Sequence, residues 1–255
     1  MIKRHRDGVP FLEFPNLAGL PGVRHGVFTR NGGQSPAPWS SLNVGRGTGD
    51  RPDVVAANRD RVSRCMAGLR LLFIQQVHGT GVVVLKAGTA RDAGPDAPLT
   101  GDAMVTDIAG TGLVIQTADC QAVMLCDPRR RVAANIHSGW RGSIQNIVGK
   151  TVGTMISDFG CDPGDIRAGI GPSLGPCCGE FVHYRDEIPR ALWKYKGENR
   201  HFDFWAMSRD QLSEAGVPEQ NIHTSRLCTR CRNDLFFSYR GERDTGRMAM
   251  VIGLQ

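Results

Sequence analysis

Lysine is scarce in this 255-residue chain: of 31 basic residues only five are Lys (3, 86, 150, 194 and 196), so the net charge of +6 is carried by arginine. Aromatic residues are few as well, at 7%. The basic residues are scattered and no DNA- or RNA-binding motif accompanies them, which argues against nucleic acid as the partner. Guanidinium forks suit smaller anions, above all phosphate and carboxylate. No apolar run is long enough to span a bilayer, and Met1–Pro10 lacks the apolar core of a signal peptide, so no membrane partner and a cytoplasmic location are expected. Cys228-Thr-Arg-Cys231 has the spacing of a zinc half-site or redox pair, but no second Cys-x-x-Cys exists. Cys177-Cys178 could supply two further ligands, although adjacent residues rarely bind one metal. All eight cysteines (65, 120, 126, 161, 177, 178, 228 and 231) are expected to be reduced thiols, some in the core and some as ligands.

What the chain does have is organised around Gln116–Gly142. This stretch reads as two apolar strands about a turn at Asp127-Pro128-Arg129-Arg130, the Asp-Pro pair being a strong turn former. Symmetric closure sets Cys126 against Arg131 and therefore Cys120 against His137. Directly opposed residues on one sheet face have Cβ atoms about 4.5–5.5 Å apart, close enough to share a metal ion or a proton. A one-residue bulge would instead send the two side chains to different faces.

The rest of the chain falls into place on either side. Residues 9–30 read as a strand entry, with His25–Arg30 leading into the Asn31-Gly32-Gly33 turn, and Asp50 is a cap for a helix with Pro52 in its first turn. Val54, Val55, Asn58, Val62, Cys65, Met66 and Leu69 recur at helical spacing, with Asn58 on or near the buried stripe and Arg59 beside it. Leu71–His78 reads as a buried strand ending in a Gly-Thr-Gly turn from which Val82–Leu85 returns. Residues 87–100 form a Gly/Pro/Asp loop before a strand near Ala103. Ile144 to Ile156 traces a helix that Phe159-Gly160 ends. Its free N–H groups would lie beside His137, an anion pocket reinforced by Arg141. Strands and helices mix without a regular βαβ rhythm, which favours an α+β fold, a single domain over residues 1–255.

His78, Cys120 and His137 are the candidate ligands of one site. Two imidazoles and a thiolate suit zinc and leave a fourth position open. The alternatives are a buried cysteine with two structural histidines, or a Cys120 nucleophile with His137 as its base in a cysteine hydrolase.

The ordered blocks His25-Gly-Val-Phe-Thr-Arg-Asn-Gly-Gly33, Ser41-Leu-Asn43, Asn58-Arg59, Gln76-Val-His-Gly79, Gly101-Asp-Ala103, Thr117-Ala-Asp-Cys120, His137-Ser-Gly-Trp-Arg-Gly142, Gly171-Pro172, Cys177-Cys178 and Phe237-Ser-Tyr-Arg240 resemble the YfiH-like laccase-domain family. That family is also labelled polyphenol oxidase or peptidoglycan editing factor. The resemblance implies mixed β-sheets flanked by helices and zinc held by His78, Cys120 and His137, with copper in older labels. It further implies phosphorolysis of adenosine, inosine, guanosine or methylthioadenosine, and deamination of adenosine. A purine nucleoside and inorganic phosphate are then the partners. Asn43, Arg59, Arg141 and Arg240 are candidates to bind them, and Asp102 and Asp119, with Arg141, to act in catalysis. The chain departs from the family at Ser138, Gly101, Gln121-Ala122 and Gly179. It departs again at Gly241, where a second arginine is common. None of these is a proposed ligand. The usual zinc-deaminase signature is absent, since Pro176-Cys177-Cys178-Gly has the wrong spacing. A multicopper cluster would need more than the seven histidines present. A zinc-stabilised module in cell-wall precursor quality control is the non-enzymatic alternative. The preferred purine, the metal and the oligomeric state stay open at this level.

Overall fold

Period-two burial builds the frame. In the computed structural model, which describes residues 1–88 and 99–255, the chain begins with β1 (Ile2–Arg6), β2 (Val9–Glu13), β3 (Val23–Phe28), β4 (Arg70–Phe73), β5 (Val82–Leu85) and β6 (Ala103–Thr106). It continues with β7 (Thr111–Thr117), β8 (Gln121–Asp127), β9 (Val132–Ser138), β10 (Arg167–Ile170), β11 (Ile222–Thr224) and β12 (Met248–Leu254). One sheet has the order β1-β2-β3-β12-β7-β4 and the other β11-β10-β8-β9-β6-β5. Along β12, Met248, Met250 and Ile252 meet Met124, Cys126 and Ala133 of the second sheet, while Ala249 and Val251 point the other way. Along β8, Ala122, Met124 and Cys126 face the first sheet and Val123 and Leu125 turn outward. Two sheets therefore share one inner core.

Helices cover both outer faces. The stripe Val55, Asn58, Val62 and Cys65 buries one side of α1 (Pro52–Cys65), which lies on the first sheet with Phe11, Phe28 and Val251. On the second sheet lie α2 (Trp140–Ile144), α3 (Ile147–Phe159) and α4 (Phe204–Glu214), through Ile147, Val152, Met155 and Leu212. The result is the expected α+β domain of mixed sheets flanked by helices.

Four local expectations are corrected. The β8–β9 hairpin pairs Cys126 with Ala133 and Ala122 with His137, so its register is shifted by two residues from symmetric closure on Arg131. The turn has four residues in both cases but lies at Pro128–Arg131 rather than Asp127–Arg130: Asp127 belongs to β8, its Oδ1 accepts from the Arg129 and Arg130 amides, and Arg131 closes the turn at φ +54°. Asp50 does not cap α1: Arg51 occupies the cap position, and Asp50 Oδ2 accepts from Ser35 and Asn43 instead. Val82–Leu85 does not return along the strand before it. That strand, β4, ends at Phe73 and pairs with β7 in the first sheet, whereas β5 pairs with β6 in the second. A left-handed turn at His78 (φ +58°) lies on the crossing between them. Finally, the helix after His137 is broken. Asn146 adopts φ +57° and caps α3 by accepting from Gly149 N, so only the five-residue α2 starts beside His137. Most of the loop expected over 87–100 lies at 89–98, outside the described residues.

Candidate active site and metal centre

His78, Cys120 and His137 converge where the inner faces of the two sheets open at one end. His137 continues the inward row of β9, and Cys120 continues the inward row of β8 one step before the strand begins, at the bend made by Asp119 (φ +87°). A register shift of two preserves this parity, so the two stay on one face as diagonal rather than direct neighbours. His78 arrives from the first sheet on its left-handed turn. Ligand atoms of the three lie within 4.8 Å of one another, with Cys120 Sγ 3.9 Å from His78 Nε2.

Asp102 holds this arrangement. It is fully buried and accepts from His137 Nδ1 at 2.8 Å, from the His78 amide at 2.9 Å and from the Gly79 amide at 2.7 Å. Burial alone would raise its carboxyl, but the hydrogen bonds from His137, Gly79 and His78 outweigh that and hold it below the usual range. With Nδ1 engaged, His137 offers Nε2 to the site, the arrangement in which a carboxylate orients a metal-binding imidazole. Burial pushes the Cys120 thiol up, yet His137 and His78 outweigh it and bring it down to about 6. Burial likewise pushes His137 down, and Cys120 and Asp102 reverse that to about 9. The pair is thus poised as thiolate and imidazolium, and a cation between them would displace the imidazole proton.

The donor set fits a transition-metal ion: two imidazoles and a low-pKa thiol, with an orienting carboxylate behind one of them. The backbone makes room for it. A Cβ on Gly139 would lie 3.0 Å from His78 Cδ2 and 3.3 Å from Cys120 Sγ, so a side chain there would push into the cluster.

The trio opens into a cavity of about 1020 Å³. Its walls carry Arg46, Arg59, Arg240 and Arg247, together with Phe73, Trp140, Phe181, Phe204 and Tyr239. Among the described residues none of these four arginines is paired with a carboxylate. Arg59 is held by the Val44 carbonyl and by the face of Phe73, 3.7 Å from its guanidinium carbon. Burial and the neighbouring charge of Arg46 lower it to about 10. Arg247 is held by the carbonyls of Thr245 and Gly246, and burial lowers it too. Half-buried cations braced by carbonyls and, at Arg59, by an aromatic ring, with no carboxylate ion pair, are a ready anion site.

Of the candidates drawn from the sequence, Arg59, Arg240 and Asp119 line the cavity, and three do not. Arg141 lies with its guanidinium 4.7 Å over the Trp140 ring, outside the lining residues. Asn43 is fully buried, where its Oδ1 accepts from the Gly45 and Arg247 amides and its Nδ2 donates to Thr48 and Asp50. It positions the two segments that carry Arg46 and Arg247 rather than meeting a ligand. Asp102 is behind the histidines with its oxygens occupied, which removes it as an acid or base at substrate. Asp119 accepts from Thr229 Oγ1 and from the Arg240 amide, both at 2.6 Å, which fixes the orientation of its carboxyl group. Sequence reasoning missed Arg46 and Arg247. Nothing local marks them, since only the contact of β12 with β7 and the Asn43 hydrogen bonds bring them to this wall.

Comparison with known proteins agrees with this geometry. The profile of the multi-copper polyphenol oxidoreductase laccase family matches residues 24–255. The chain is 33% identical over 251 residues to the purine nucleoside phosphorylase YlmD of Geobacillus stearothermophilus, covering 91% of this chain and 90% of that one. It is 34% identical over 237 residues to the purine nucleoside phosphorylase YfiH of Escherichia coli K12, with 89% and 91% covered. The crystal structure of the Bacillus licheniformis hypothetical protein YfiH superposes with a TM-score of 0.87 at 31% identity, over 99% of both chains.

Proposed function

The chain belongs to the multi-copper polyphenol oxidoreductase laccase family, and on that footing we propose that it is a zinc-dependent purine nucleoside phosphorylase. One observation carries the reading: a single cavity joins the His78, Cys120 and His137 ligand set to arginines without carboxylate partners. An oxidase acting on phenols has no need of half-buried cations left without carboxylate partners. A phosphorolytic enzyme does, because phosphate must be held and aimed at the ribose C1′.

Arg59 and Arg247, with Arg46 at the rim, bind phosphate through charge-assisted hydrogen bonds. The aromatic side chains of the wall, Trp140, Phe181 and Tyr239 among them, offer faces to the purine. Asp119, oriented by Thr229 and the Arg240 amide, stabilises positive charge developing on the sugar. His78, Cys120 and His137 would hold the zinc, which would supply Lewis-acid chemistry at this end of the cavity. A centre that depends on a reduced Cys120 suits the cytoplasm. Among the described residues no helix is long and apolar enough to cross a membrane.

Adenosine, inosine, guanosine and methylthioadenosine are the proposed substrates, with adenosine deamination as a second activity of the same centre. The test is inosine turnover with and without inorganic phosphate. Hypoxanthine and ribose-1-phosphate are expected only with phosphate present. Free ribose formed equally well in its absence would replace the phosphorylase with a hydrolase, and silence with all four nucleosides would overturn the enzymatic reading. Ammonia release from adenosine tests the deamination.

A further inference from the structure

Four of the eight cysteines meet far from one another in sequence and outside the trio just described. Cys177 and Cys178 lie in the loop after β10, and Cys228 and Cys231 lie in the segment after β11. All four sulfurs fall within 4.8 Å of one another, and Cys231 Sγ is 3.6 Å from both Cys177 Sγ and Cys178 Sγ. We propose that Cys177, Cys178, Cys228 and Cys231 form a second metal site, a closed tetrathiolate that takes one zinc ion.

The geometry decides between the readings of such a cluster. A tetrahedral zinc with Zn–S bonds of about 2.3 Å sets its sulfurs about 3.8 Å apart, an edge that the two 3.6 Å contacts nearly match. A disulfide needs about 2.05 Å, and all four thiols are free. An iron–sulfur cluster spreads its thiolates around several metal atoms, whereas sulfurs this close enclose room for one ion.

The objection that adjacent cysteines rarely share a metal is met by the local backbone. Gly175-Pro176-Cys177-Cys178 is a tight turn closed by Cys178 N donating to Gly175 O, and it presents both neighbouring thiols to Cys231. The Gly175 amide donates to Cys228 Sγ at 3.4 Å, the backbone N–H contact that steadies a thiolate ligand. Arg230 flanks Cys231 in sequence and brings positive charge beside a site that is dianionic when filled, whereas Arg232 is paired with Asp234. Cys177 and Cys231 are exposed, which gives the ion a way in. Four thiol protons leave as it enters.

The site would fasten one wall of the main cavity. The first loop contributes Ser173, Leu174 and Gly179 to that wall, and the second segment runs on to Tyr239 and Arg240. Two backbone hydrogen bonds already join them: Ser173 N donates to Leu227 O and Thr229 N to Ser173 O. A metal–thiolate clasp beside these bonds ties both loops at their outer side, away from the chemistry.

Elemental analysis of protein purified under reducing conditions tests the assignment. The parent should carry about two zinc ions per chain. Cys177→Ser with Cys231→Ser should keep one, and His78→Ala with Cys120→Ala should also keep one, because the two sites fill independently. A folded Cys177→Ser, Cys231→Ser protein with the parent's zinc content would overturn the second site. So would iron in place of zinc, or a disulfide among the four cysteines by mass spectrometry of the native protein. Should the double serine variant fail to fold, cobalt loading of the His78→Ala, Cys120→Ala protein decides the matter. The intense visible and charge-transfer absorption of tetrahedral cobalt thiolate is expected, and its absence would refute the proposal.

Discussion

Replacing Asp102 with asparagine keeps the shape of the side chain and removes its charge and one of its two acceptors. In the native protein the carboxylate takes hydrogen bonds from His137 Nδ1 at 2.8 Å, His78 N at 2.9 Å and Gly79 N at 2.7 Å, with no solvent exposure. In Asp102→Asn the amide NH₂ must face at least one of these donors, and a buried donor left without an acceptor costs about 1–3 kcal/mol. Removing one member of a buried ion pair costs about 3–5 kcal/mol, and the isosteric amide recovers part of that. A net loss of about 3 kcal/mol follows. At about 2–4 °C per kcal/mol for a chain of this size, Tm should fall by roughly 6–12 °C. Metal affinity should fall roughly 10–100-fold, because the imidazole loses its orienting carboxylate and His78 its backbone anchor. Thermal unfolding by circular dichroism and chelator competition read the two effects separately. Unchanged Tm and metal affinity together with a large loss of kcat would refute the positioning role and return Asp102 to acid–base chemistry at substrate.

The cavity arginines make the next prediction. Arg59→Lys keeps a charge but loses the fork, and should raise the phosphate KM by one to two orders of magnitude, the worth of about 1.5–3 kcal/mol in a charged hydrogen bond. Arg141→Lys, which alters a residue lying over Trp140, should leave that KM unchanged. Steady-state kinetics at varied phosphate separate the two, and the reverse order would move the anion site to Arg141. Gly139 has φ −71° and ψ 166°, which alanine also adopts, so Gly139→Ala tests only the space beside the ligands. Metal content should drop while the circular dichroism spectrum stays native; full metal occupancy would mean the cluster tolerates the methyl group. His25 supplies a pH test. Burial pushes its imidazole down to about 4, and its Nε2 accepts from the Phe14 amide. Between the ordinary value of 6.5 and 4 the unfolded chain binds a proton that the folded chain refuses, so stability is full above that window and is lost as pH falls through it. The loss attributable to His25 is about 2.5 kcal/mol at pH 4.5. Urea titrations of parent and His25→Gln at pH 7 and 4.5 measure it, and equal losses in the two proteins would show that His25 contributes nothing.

Features carried by a local rule were legible in the sequence. The buried stripe Val55, Asn58, Val62 and Cys65 announced α1, and the apolar positions from Ile147 to Met155 announced α3. The hairpin of β8 and β9 followed from two apolar runs about Asp-Pro. Its register did not, because that depends on which four residues make the turn, and Asp127 stays in β8 while capping two amides, which moves the turn one residue along. Sheet membership was equally invisible for β4 and β5. Each pairs in parallel with a strand distant in sequence, and no local pattern distinguishes a hairpin return from a crossing between sheets.

The candidate site divides along the same line. His78, Cys120 and His137 were recoverable because a metal or a shared proton demands particular residue types, and because a two-residue register error leaves side chains on the same sheet face. A one-residue error would have separated them. Anion binding makes a weaker demand: any arginine satisfies it chemically, and this chain spreads its positive charge over many. What selects Arg59 and Arg247 is that neither forms an ion pair with a carboxylate among the described residues, a property of the folded surroundings rather than of the neighbouring sequence. Arg141 sits four residues from a ligand yet spends its guanidinium on Trp140, whereas Arg247 is over a hundred positions away in sequence and is delivered by Asn43. Proximity in sequence to a metal ligand is therefore a poor guide to the anion site here. The better guide is the pair of segments, 43–48 and 245–247, that the buried Asn43 ties together at the cavity wall.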